Sequence, residues 1–155
     1  MSLEGDLLTE KITHLDLSEY TVVPSGMSVR DVIHKMRIER RNCAFVLKSG
    51  KMLGIFTDRD VLRSVVDHAE VWDGPIDDVM THGPKVIGSE KPVGEALHMM
   101  EASQVRNIPV QSPDGTIIGN LTHFALIRYL ADHFPREVYN LPPTPDQYGE
   151  ERHGG

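Results

Sequence analysis

The chain has 155 residues, 39% of them hydrophobic, with 16 basic side chains against 23 acidic ones and a net charge of −7. That length holds one compact domain or a tight pair of half-domains, and the negative balance argues against a nucleic-acid duplex as the main partner. Cys43 is the one cysteine, which excludes a disulfide framework and fits a reducing compartment; with no apolar run near the ~18 residues of a membrane span and no charged-then-apolar leader, the expectation is a soluble, cytoplasmic protein without a membrane partner.

In chain order, Leu7 to Leu17 is a short lead-in with Leu8, Ile12 and Leu15 at helical spacing. Tyr20 to Val23 is a β-type run closed by Pro24-Ser25-Gly26. Ser28 with Asp31 predicts a capped helix start, and Val29, Val32, Ile33, Met36 and Ile38 form its predicted apolar face. Ala44–Leu47 and Met52–Phe56 around Lys48-Ser49-Gly50-Lys51 predict a hairpin. Thr57 opens a second helix through Val61, Leu62, Val65 and Val66. After the break at Asp73-Gly74-Pro75 the order repeats: Val86-Ile87 as strand, a helix from Val93 to Met100, strands at Asn107–Val110 and Thr116–Leu121, and a last helix from Thr122 to Leu130. The tail from 135 to 155 holds Pro135, Pro142, Pro143 and Pro145, a composition that predicts flexibility.

The two halves share residues as well as order. Val22, Ser25, Val29, His34, Met36 and Val46 recur 64 positions later; Gly50, Gly54, Thr57, Arg63, Asp67 and His68 recur 65 positions later. These are twelve identities, where background composition gives roughly three. A unit this short buries too little apolar surface alone, so two copies are expected to share a core and to leave clefts between them.

The chemistry concentrates in Gly54-Ile55-Phe56-Thr57-Asp58-Arg59-Asp60. A strand there runs into a helix whose first turn exposes unpaired N–H groups and the positive dipole end, a setting that favours phosphate. The Asp60 carboxylate has acceptors for both hydroxyls of a ribose, Thr57 adds a hydroxyl, and Arg59 reaches toward phosphate. Thr57-x-x-Asp60 is equally a capping box. Copy two keeps Thr122 but has Ala125 in place of the acid.

These residues resemble the cystathionine-β-synthase (CBS) domain in tandem. The resemblance covers residues ~20–134 and rests on the glycine–two apolar–Thr-x-x-Asp ending, the Val79-Met80-Thr81 lead-in and Asn107-Ile108-Pro109-Val110. It implies an α+β fold of two β-α-β-β-α repeats related by pseudo-twofold symmetry. The first repeat with its lead-in is expected at 7–68, the second at 76–134, and the tail at 135–155. It implies an adenosine compound in the inter-repeat cleft: Asp60 and Thr57 at the ribose; Thr81, Gly83, Val86, Ile108 and Pro109 around the base, flanked by Asn107; Arg59, Lys85 and Arg106 at phosphates, with His82 nearby. A mirror site of Thr122, Thr21, Val22, Asn42 and Ala44 is expected to bind poorly for want of the acid.

The functional expectation is a regulatory module that senses AMP, ADP or ATP for a separate, unidentified protein, with no catalytic role, no other cofactor and a homodimer through helical faces. The alternatives are an S-adenosylmethionine binder and a ligand-free dimerisation module. The eight histidines lack metal-ligand spacing, so no metal is expected. His34 and His98, matched across the repeats, read as packing residues. Cys43 reads as a buried small hydrophobe, and Lys35, Arg37, Arg40 and Arg41 as a solvated basic face.

Overall fold

The computed structural model describes Gly5 and residues 9–133; Leu7, Leu8 and the proline-rich tail lie outside the described residues. The first repeat comprises β1 (Thr21–Pro24), α1 (Val29–Glu39), β2 (Cys43–Lys48), β3 (Lys51–Thr57) and α2 (Asp58–Ser64). A two-residue strand, β4 (Thr81–His82), precedes the second repeat: β5 (Ile87–Gly88), α3 (Val93–Ser103), β6 (Asn107–Gln111), β7 (Ile117–Thr122) and α4 (His123–His133). This is the α+β double repeat that the pattern predicts. In each copy the first strand runs parallel to the second and the hairpin is antiparallel.

Local chemistry explains the boundaries. The Ser28 hydroxyl accepts the Asp31 N–H at 3.1 Å and caps α1. At matched positions α1 and α3 end on left-handed residues, Arg40 (φ 55°) and Gln104 (φ 53°). Between β2 and β3, Ser49 and Gly50 both take positive φ, the condition of a tight two-residue hairpin turn.

The repeats exchange their lead-ins. Ile12 and Leu15, ahead of repeat one, are buried in the core of repeat two with Ile87, Val93, Ile108 and Leu121. Ile76, Val79 and Met80, ahead of repeat two, are buried in the core of repeat one with Val23, Val29, Val46 and Phe56. β4 adds antiparallel to β3, while Ser18 bridges Asn120 on β7. This exchange explains the repeated glycines. A Cβ on Gly54 would stand 2.7 Å from the Thr81 carbonyl oxygen, and one on Gly119 would stand 2.5 Å from the Leu17 Cβ. Each glycine lets the other half's lead-in cross at backbone distance.

Between the sheets, Phe45, Cys43 and Ile55 pack with Tyr20 and Ile117, and the Tyr20 and Phe45 rings stack at 4.6 Å. Burying Phe45 alone contributes about 2–3 kcal/mol to this seam. Cys43 is buried as expected, and burial pushes its thiol far above the usual range.

Some expected core residues lie outside. Ile38 is 67% exposed, because nine residues beyond Val29 places it about half a turn away from the buried face. Leu62, Val66 and Ile127 are also exposed, as is Phe124, which the pattern did not assign to the core. His34 and His98 are exposed on α1 and α3 rather than packed. Their match reflects equivalent positions in the two helices, not a shared core role.

Candidate functional site

A cleft of about 880 Å³ lies between the repeats, within the range of small-molecule sites. Its walls come from both copies. Ile55, Thr57, Asp58, Arg59, Leu62 and Arg63 face it from the end of β3 and from α2. Thr81, Gly83, Pro84 and Lys85 form one side, and the α3–β6 connection supplies Ser103, Val105, Arg106 and Asn107.

Asp60 lies beneath this surface rather than on it. The residue is 4% exposed. Its Oδ2 accepts the Thr57 N–H at 2.9 Å, with the Thr57 hydroxyl at 3.5 Å, and its Oδ1 accepts the Thr81 hydroxyl at 2.8 Å. The carboxylate thus closes the first turn of α2 and ties it to the lead-in of repeat two. Both threonines that bind it line the cleft, so a negative charge sits directly under two hydroxyl groups at the cleft floor.

Above that floor the cleft is cationic. Arg59, Arg63, Lys85 and Arg106 line it beside Asp58, in a chain whose net charge is −7. Among the described residues none of these four forms a salt bridge. Arg59 donates to the Gln104 carbonyl at 2.7 Å and Lys85 to the Ser103 hydroxyl at 2.8 Å. Both contacts hold the cation by a neutral acceptor rather than by a carboxylate.

Of the residues expected at the ligand, Thr57, Arg59, Thr81, Gly83, Lys85, Arg106 and Asn107 line the cleft. Ile108 and Pro109 are buried behind it in β6, and Val86 is half-buried outside the lining. His82 bonds the Asp77 carbonyl at 2.8 Å. Arg63 was not among the expected residues, although its recurrence as Arg128 was the available signal. Ser103, which positions Lys85, carried no signal in the sequence.

The mirror position is built differently. Thr122 is buried and accepts the Ala125 N–H at 3.1 Å, so it serves the cap of α4. Ala44 is buried in the core and Asn42 is exposed. Thr21 and Val22 border a separate open hollow of about 690 Å³ with Lys35 and Glu39. Thr21 donates to Glu39 at 2.9 Å. Arg41 pairs with Glu19 at 3.4 Å, and Arg128 pairs with Glu19 at 3.3 Å and Asp16 at 3.6 Å. Lys35 donates to the Val22 carbonyl at 2.5 Å. The basic run of α1 and the residues after it is therefore partly engaged, by Val22 and Glu19, rather than wholly solvated.

Two duplicated half-domains with exchanged lead-ins define a paired-repeat module with a cleft between its halves. The chain belongs to the CBS domain family, which matches residues 11–67 and 76–132. It is 30% identical over 105 residues to the CBS domain-containing protein CBSCBSPB1 of Arabidopsis thaliana, a match covering 64% of this chain and 19% of that protein. It is 32% identical over 104 residues to the arabinose 5-phosphate isomerase KdsD of Pseudomonas aeruginosa, covering 66% of this chain and 32% of the enzyme. The chain thus spans about a fifth of the first of these relatives and about a third of the second.

Among solved structures, an uncharacterized conserved protein of Pyrococcus horikoshii superposes with a TM-score of 0.73 at 22% identity, covering 88% of this chain and 98% of that one. The CBS domain protein PAE2072 of Pyrobaculum aerophilum, complexed with AMP, gives 0.68 at 20% identity over 83% and 96%. The cytosolic domain of the Mg2+ channel MgtE, in complex with ATP, gives 0.65 at 20% identity over 78% and 49%. Among the described residues no helix is long and apolar enough to cross a membrane, and no group of three His, Cys, Asp or Glu residues is placed to hold a metal ion.

Proposed function

We propose that this chain is a regulatory adenine-nucleotide-binding module whose ligand sits in the inter-repeat cleft and whose bound state is read by another protein. The observation that carries this reading is the cleft itself: two hydroxyls backed by a buried carboxylate, beneath four cations that form no salt bridge among the described residues of an acidic chain. Ribose hydroxyls donate to Asp60 Oδ1, taking the place of the Thr81 hydroxyl. Arg59, Lys85, Arg106 and Arg63 receive the phosphates, and the base lies toward Gly83 and Asn107. The AMP and ATP complexes of PAE2072 and MgtE support adenosine phosphates as the ligand class. A ligand touching both repeats favours one relative pose, and a partner protein that distinguishes poses senses it.

The exposed apolar side chains Leu62, Val66, Phe124 and Ile127 on α2, α4 and their flanks support self-association through these faces. Thermal melts with AMP, ADP, ATP and S-adenosylmethionine test the ligand reading. At one hundred times the dissociation constant, ligand adds about 2.7 kcal/mol, a rise of roughly 5–10 °C at this size. No rise with any of the four, or an equal rise in Asp60→Ala, contradicts it.

A further inference from the structure

The two halves repeat one contact with its charge reversed. Lys85 donates to Ser103 at 2.8 Å beside the ligand cleft. Sixty-four positions earlier stand Thr21 and Glu39, and Thr21 donates to Glu39 at 2.9 Å. The same shift takes Gly83, which has no side chain to place in the cleft, to Glu19. The Glu19 carboxylate accepts Arg41 Nη1 at 3.4 Å and Arg128 Nη2 at 3.3 Å. Its backbone carbonyl accepts the buried Asn120 amide at 2.9 Å. Arg128 is the counterpart of Arg63, which lines the first cleft and forms no salt bridge among the described residues.

We infer that Glu19, with Glu39, is a built-in anion that occupies the mirror position and restricts this chain to one nucleotide. A phosphate entering there must displace a carboxylate already held by two guanidinium groups and must approach a second carboxylate. The missing acid at Ala125 weakens a sugar contact, whereas Glu19 removes the phosphate contact as well. Three anchors from three elements fix it: Arg41 after α1, Asn120 on β7 and Arg128 on α4. The inference borrows its probe from the nucleotide reading of the first cleft, and rests on that reading for the count of one in the native chain.

Calorimetric titration of the native protein and of Glu19→Gly/Glu39→Ser tests it, with ATP and with inorganic tripolyphosphate, which carries no sugar. The native protein is expected to take one ATP per chain. The double variant is expected to take two, the added site at least tenfold weaker, and to gain one tripolyphosphate site that 0.5 M salt abolishes (a Debye length of roughly 4 Å). Should the native chain bind no ATP, a gain from none to one still supports the role of Glu19 while refuting the nucleotide reading. Two sites in the native chain, or no gain in the variant, overturns the inference. If the double variant does not fold, Glu19→Gln keeps the volume and removes the charge. It is expected to gain tripolyphosphate binding, and its failure to do so also overturns the inference.

Discussion

Thr81 donates its hydroxyl to Asp60 at 2.8 Å, joining the lead-in of the second repeat to the first turn of α2 in the first. The bond makes one carboxylate both a structural strut and the charge beneath the cleft. Under the proposed function, the Thr81 hydroxyl stands where a sugar hydroxyl would donate. Thr81→Val removes that hydroxyl at nearly constant shape and leaves Asp60 Oδ1 short of a donor, a loss of about 1 kcal/mol. The melting point is expected to fall by roughly 2–4 °C without ligand. With saturating ATP the deficit is expected to narrow, because ribose supplies the missing donor. A deficit unchanged by ATP would place the sugar elsewhere.

Gly54 is fixed by the exchange of lead-ins. A methyl group there meets the Thr81 carbonyl at 2.7 Å and Met80 Sδ at 2.6 Å. The thioether can swing away, but the backbone carbonyl of β4 cannot move without breaking its pairing to β3. Gly54→Ala is expected to cost about 1–3 kcal/mol and to weaken ligand binding, since Thr81 moves with β4. Denaturant unfolding and titration of the same variant measure both effects. An alanine tolerated in both would show that β4 is not tightly held.

Arg106 is exposed at the cleft edge and takes part in no salt bridge among the described residues. Arg106→Ala is expected to weaken ATP binding about 10- to 100-fold, the range of one charge-assisted hydrogen bond, and to leave adenosine binding nearly unchanged. The native affinity for ATP is expected to fall with added salt more steeply than that for adenosine. Equal losses for both ligands would place Arg106 at the base or the sugar.

Asp77 pins the linker to the turn after β1, accepting the Ser25 hydroxyl at 2.5 Å and the Gly26 N–H at 2.7 Å. The Ser25 bond, then the Gly26 bond, holds its carboxyl below the usual 3.8. A depressed folded value contributes stability that is full above the unfolded value and is lost as pH falls through the folded one. The melting-point gap between the native protein and Asp77→Asn is therefore expected to be constant above about pH 5 and to close in more acid solution. A gap that widens on acidification would reverse the sign.

Most of the fold was legible because duplication checks each local signal twice. Ser28, the Ser49-Gly50 turn and the Thr57 helix start all stand where their chemistry predicts. β4 was not legible, because two residues carry no periodicity and its pairing is set by the other repeat. Gly54 and Gly119 were visible as a repeat, but the reason for them is a crossing chain that only three dimensions reveal. At the cleft, Thr57 and Arg59 were readable from the motif and Lys85 and Arg106 from the resemblance, while Arg63 was missed. The inward orientation of Asp60 was not readable, since a capping acid and a sugar-binding acid share one spacing. Glu19 was missed because its meaning lies in a difference from Gly83 and in two arginines distant in sequence.

The most direct measurement is a crystal structure of the protein grown with ATP. The expected result is one nucleotide per chain in the cleft between Thr57 and Arg106, its ribose within hydrogen-bond distance of Asp60 and its phosphates against Arg59, Lys85, Arg63 or Arg106. Nucleotide bound anywhere else, or a ribose turned away from Asp60, would contradict the proposed site.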